Sequence, residues 1–139
     1  MSIELHIFLH DSRVPSADVW QQTIEHLSFP TILDKTLNLR EDAGFSPTIY
    51  DGKPTGFEFY LEPSEDILAT YSHIAEVVGD REKCATFRWG GDLLEMAAAI
   101  TAAAALTKLT DGVYFYPGDD IVLGADEAVQ ATREDLKSL

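Results

Sequence analysis

The sequence predicts an α+β fold, a mostly antiparallel sheet with helices packed on one face. Apolar residues alternate with period two in several short runs, the mark of strands with one buried face. Two such runs flank Asp51-Gly52 and two more flank Pro117-Gly118-Asp119-Asp120, so strands come in hairpins. Helical spacing recurs between them, most clearly in a long alanine-rich helix at about residues 92–109. Hairpins with interspersed helices favour an antiparallel sheet over a doubly wound one. A length of 139 residues fits one globular domain, residues 1–139. With 45% hydrophobic residues spread along the chain, a packed core is expected and disorder is not.

The elements follow in order. Ile3, Leu5, Ile7 and Leu9 alternate with Glu4, His6, Phe8 and His10, a strand with one apolar face. Ser16 is an N-cap, Asp18 suits the helix dipole, and Trp20, Ile24 and Leu27 line one face of a helix over 17–28 that Pro30 ends. A short strand is expected near Leu37–Arg40. Thr48–Tyr50 and Gly56–Leu61 form a hairpin about Asp51-Gly52, with Phe57, Phe59 and Leu61 on one face and Glu58, Tyr60 and Glu62 on the other. A helix is expected over 65–78, closed by Gly79-Asp80. Ala85–Trp89 is a strand, Gly90-Gly91 breaks it, and Asp92 with Glu95 makes a capping pattern for the alanine helix. Asp111-Gly112 ends that helix. A second hairpin over 113–123 and a final helix capped by Asp126 complete the chain.

The formal charge is -14, and it is uneven. Residues 41–80 hold nine acidic residues against a single base, Lys53. Net charge speaks to partners and solubility, not to fold. A basic protein partner fits this surface. Nucleic acid and anionic membranes do not, since binding either needs cations. The most apolar stretch, Ala97–Leu106, is too short to span a bilayer. The N-terminal residues lack the basic and apolar regions of a signal peptide, and the one cysteine, Cys84, suits a reducing compartment. A cytoplasmic location is expected. The alanine tract serves either close packing on the sheet or a subunit contact in a homodimer.

Candidate sites are few. His6 and His10 share a strand face, but at roughly 13 Å apart they are too distant for one metal. No metal-ligand spacing, P-loop or dinucleotide fingerprint is present, so no metal, cofactor or catalytic residue is expected. Lys83 and Arg81 neighbour Cys84, yet the apolar strand around it points to a structural thiol. Glu58 and Glu62 with Tyr60 between them, followed by Glu65 and Asp66, form the candidate partner-binding set. On this expectation Tyr60 is the aromatic anchor and the carboxylates pair with Lys or Arg. Arg88-Trp89-Gly90-Gly91-Asp92 marks a sharp strand-to-helix turn or a close backbone approach. With His6 and His10, Arg88 and Trp89 make the alternative ligand-binding set.

From Arg88 to Pro117 the chain reads Arg-Trp-Gly-Gly-Asp, an alanine-rich helix, then Leu-Thr-Asp-Gly-Val-Tyr-Phe-Tyr-Pro. This stretch resembles small uncharacterised bacterial cytosolic proteins and, loosely, toxin-neutralising immunity proteins. The resemblance implies a bacterial cytosolic binding protein and carries over no functional residues. Two classes of function follow. One is an acidic protein-binding module, in concrete form an inhibitor of a basic nuclease toxin. The other is a small enzyme or ligand binder with a pocket near Trp89.

Overall fold

The alternating N-terminal run forms strand β1 (Ile3–Leu9), near the middle of the sheet in the computed structural model, which describes residues 2–139. The other described strands are β2 (Thr31–Ile32), β3 (Gly44–Tyr50), β4 (Lys53–Pro63), β5 (Lys83–Trp89), β6 (Val113–Tyr116) and β7 (Ile121–Leu123). All pairs are antiparallel, in the spatial order β2-β3-β4-β5-β1-β6-β7. The expected α+β class is what forms. Asp51 and Gly52 take left-handed φ values of 50° and 79°, the geometry that suits a two-residue hairpin loop to strand twist.

Three longer helices lie on one face of the sheet. They are α1 (Ala17–His26), α4 (Leu93–Thr110) and α5 (Ala125–Leu136). Helix α4 sits against the strands, flanked by α1 and α5. Its alanines have no bulk, so neighbours come close. The indole Nε1 of Trp20 donates to the Ala102 carbonyl at 2.9 Å, and Thr101 meets Thr31 of β2 at 2.6 Å, Oγ1 to Oγ1. Trp20 also packs on Phe59 and Phe87, with ring centroids 5.6 and 5.9 Å away. Two expected caps are in place: Ser16 accepts from the Val19 amide and Asp92 from the Leu94 amide.

Several expectations are corrected. The span Leu37–Arg40 is not a strand. Asp34 accepts from the Thr36 amide, and the Asn38 side chain from the Arg40 amide, so side-chain-closed turns replace a ladder while Leu37 and Leu39 still reach the core. The helix expected over 65–78 is two short ones, α2 (Ser64–Leu68) and α3 (Ala75–Val78), separated by an irregular stretch and a single 3-10 turn, Ser72–Ile74. Helix α1 closes before Pro30, where Ser28 turns left-handed at φ 65°. Gly124, not Asp126, occupies the N-cap of α5. Its amide donates to Glu127, while Asp126 in the first turn pairs with Lys108 at 2.7 Å. At the end of α4 the left-handed residue is Asp111 (φ 52°), and Gly112 is needed for another reason: a Cβ there would lie 2.8 Å from the Phe8 carbonyl.

Helix α4 as a whole, longer than its alanine tract, is long and apolar enough to cross a membrane. Packing makes it a core helix instead, since every residue from Ala97 to Thr107 is buried inside this chain. The same burial leaves the alanine tract no surface for a second subunit.

The opposite face of the sheet is covered only in part. The segment carrying α2 and α3 folds across it, and Ile74 and Val78 join Phe8, Cys84, Val113 and Phe115 in a second, smaller core. Central strand β1 is therefore buried on both faces.

Candidate functional site

Antiparallel register builds this second face from cross-strand rows. Phe45, Glu58, Arg88 and Glu4 form one row across β3, β4, β5 and β1. The next runs Tyr60, Thr86, His6, Phe115, and the third Glu62, Cys84, Phe8, Val113. Because side chains alternate along each strand, all of these project from the sheet on the side away from α4. The β1–β6 end of the rows lies under the α2–α3 segment, while the β3–β4 end is open.

At the open end Glu58 and Glu62 are half-buried, with Tyr60 between them. The Tyr60 hydroxyl donates to Glu58, and this bond to a carboxylate pushes the phenol above its ordinary pKa. Glu65 and Asp66 stand exposed on α2, which leaves β4 at Pro63 and packs back on β4 and β5. The five expected binding residues thus lie in sequence along one side of the sheet. Reading the sequence missed Phe45. It is 65% exposed directly opposite Glu58, and its ring lies over Gly56, where a Cβ would meet Phe45 Cε1 at 2.7 Å. The signal was present: Phe45, Pro47 and Ile49 alternate with Ser46 and Thr48.

Arg88 is tied to its neighbour on β1. Its Nε and Nη2 donate to Glu4 Oε1 at 3.1 and 2.6 Å, and its guanidinium lies 5.6 Å from the Tyr60 ring centre. Glu4 holds the guanidinium charged. His6 is 1% exposed, with Nδ1 on Thr86 Oγ1 at 2.9 Å and Nε2 3.5 Å from Glu4 Oε2. Burial holds this imidazole below its ordinary pKa; the nearby Glu4 carboxylate opposes the shift and Arg88 adds to it. Cys84 lies 3.8 Å from His6 Nδ1 and is fully rather than half buried, and this burial pushes its thiol pKa well up, away from a reactive thiolate.

The alternative set does not converge. Trp89 points to the α4 face of the sheet, opposite Arg88 and His6. His10 lies past the end of β1, 3.5 Å from Glu82 and 3.8 Å from Asp80. Gly90 and Gly91 mark a strand-to-helix turn, but neither has a positive φ, and nothing approaches Gly91 within 4 Å. Trp89 does line a cavity of about 510 Å³ bounded by β5, β6, α4 and α5. Asp135 and Tyr114 share its lining, and nothing in the sequence linked them to Trp89 because they come from distant elements. Among the described residues, no group of three His, Cys, Asp or Glu side chains is placed to hold a metal.

No protein-family model, curated protein or solved structure matches this chain.

Proposed function

We propose that this chain is an acidic protein-binding module that engages a basic partner through the open β3–β4 half of the sheet. The observation that carries the reading is the pairing of exposed Phe45 with Glu58, with Tyr60 and Glu62 further along β4, on the part of the sheet face that the α2–α3 segment leaves open. An exposed aromatic anchor with a carboxylate opposite it and more along the same strand suits a partner rich in Arg and Lys, and opposite charge speeds encounter. Glu65 and Asp66 extend the same potential. The concrete form we favour is an inhibitor that covers the basic cleft of a nuclease toxin, acting in a bacterial cytoplasm as immunity proteins do.

The test is capture from native lysate at low salt with the wild type, with Glu58→Lys/Glu62→Lys, and with Phe45→Ala, followed by nuclease assay of whatever is captured. The reading expects the wild type to retain a basic protein and suppress its nuclease activity. Both variants should fold and lose at least about 1–2 kcal/mol of binding, the scale of an interface anchor. A partner held equally by all three removes this face from consideration.

A second reading, a small-ligand binder at Trp89, is favoured by the cavity described above. Arg88, His6 and His10 take no part in it.

A further inference from the structure

The lining of the Trp89 cavity has a chemistry of its own. One wall carries aromatic rings, Trp89 from the end of β5 with Tyr114 and Tyr116 from β6. A second is aliphatic, with Leu93, Met96 and Ile100 on one stripe of α4 at i, i+3 and i+7. From α5 come Ala131 and, one turn on, Asp135. Asp119 is the other charged residue of the lining, and no Lys or Arg contributes. The cations of α5 and its C-cap are engaged elsewhere: Arg133 donates to the Leu27 carbonyl at 3.1 Å, and Lys137 pairs with Glu134 at 3.2 Å.

Asp135 therefore has no cationic partner among the described residues. It stands exposed at the mouth of the cavity, where partial burial pushes its carboxyl above the ordinary range. A carboxylate at the rim of an apolar cavity walled by Trp and Tyr rings is a combination that attracts an organic cation. At about 510 Å³ the space falls in the range of small-molecule sites.

We infer that the Trp89 cavity binds a small organic cation, an alkylated ammonium group on an apolar body. The ammonium sits between Asp135 and the aromatic wall, and the apolar body lies along Leu93, Met96 and Ile100. The inference rests on the second reading above and is independent of the acidic sheet face.

The test is NMR titration of the intact chain with hexyltrimethylammonium and, separately, with neutral 1-heptanol. The Trp89 indole N–H and the Ala131 methyl report on the cavity, and the Trp20 indole serves as an internal control. The inference expects both cavity signals to shift with the ammonium, which binds roughly tenfold tighter than the alcohol. Asp135→Asn should bring the ammonium down to the level of the alcohol, and Ala131→Leu should exclude both probes. Each variant's thermal midpoint is checked to show that it folds. Equal binding of the two probes overturns the ligand class while leaving an apolar binder. No shift with either probe overturns the inference and the binder reading together. Shifts confined to residues 58–66 overturn it as diffuse attraction to an acidic protein.

Discussion

His6 is a titratable side chain walled in by rings: Phe115, Tyr71 and Phe8 lie 6.2, 6.0 and 6.5 Å away, centre to centre. The charged groups that face it are Glu4 on its own strand and Arg88 on the next, and they act in opposite directions. Burial is the largest effect and favours the neutral ring. The folded chain therefore binds fewer protons here than the unfolded one, so this group's contribution to stability is complete above its ordinary pKa and is lost as pH falls through that value toward the lowered folded one. Stability measured by denaturant should drop between about pH 7.5 and about pH 5.5 in the wild type, and change much less in His6→Gln, which keeps a hydrogen-bonding side chain without a proton to gain. Equal slopes for the two proteins would show that His6 is not the group responsible. The lowered carboxyls of Asp11, Asp34, Glu82 and Asp126 lie in a more acidic window and do not confuse the result. The alternation around His6 was legible as a strand. That the strand is buried on both faces was not, since it depends on a segment some sixty residues further on.

At the scale of elements, α4 shows why composition is informative only with context. Alanine at 97–99 and 102–105 reads as helix from propensity alone, and the structure agrees. What the tract packs against is tertiary information: strands on one side, α1 and α5 on the others. With no slack around it, Ala103→Leu should cost about 1–3 kcal/mol through overpacking. A lower denaturant midpoint at unchanged slope is the expected result, and a neutral effect would mean that the helix has room to shift. The elements that escaped the sequence did so for local reasons. Leu37 and Leu39 alternate like a strand, but Asp34 and Asn38 close turns on the backbone first. Residues 65–78 have helical spacing, yet Tyr71 leaves helical geometry (φ -120°, ψ 57°) with its ring 5.1 Å from that of Phe115, edge to face. The candidate binding face was legible where one strand displayed it, at Glu58, Tyr60 and Glu62. Phe45 and the Trp89 cavity needed the register of neighbouring strands and the docking of α5.

For the whole molecule the net charge of -14 sets two effects of opposite sign. Within the chain like charges repel, which works against the compact state. The repulsion acts over distances that salt screens, about 10 Å at 0.1 M, whereas close pairs such as Arg40–Asp11 at 2.7 Å and Lys108–Asp126 at 2.7 Å are few and exposed, and contribute little. On the proposed function the same charge would attract a basic partner, with Glu58, Glu62, Glu65 and Asp66 placed to meet it. Raising sodium chloride from about 0.01 M to about 0.5 M should therefore raise the thermal midpoint of the isolated protein while slowing its association with the partner, each through screening. Glu58→Lys/Glu62→Lys should show a smaller salt effect in both measurements, because it removes repulsion and attraction at the same place. The two slopes decide between a functional and a merely solubilising charge. If salt stabilises the isolated chain and leaves association unchanged, the acidic face keeps the protein in solution and does not steer a partner. If salt lowers the midpoint, the ion pairs outweigh the repulsion and the charge argument fails at its first step.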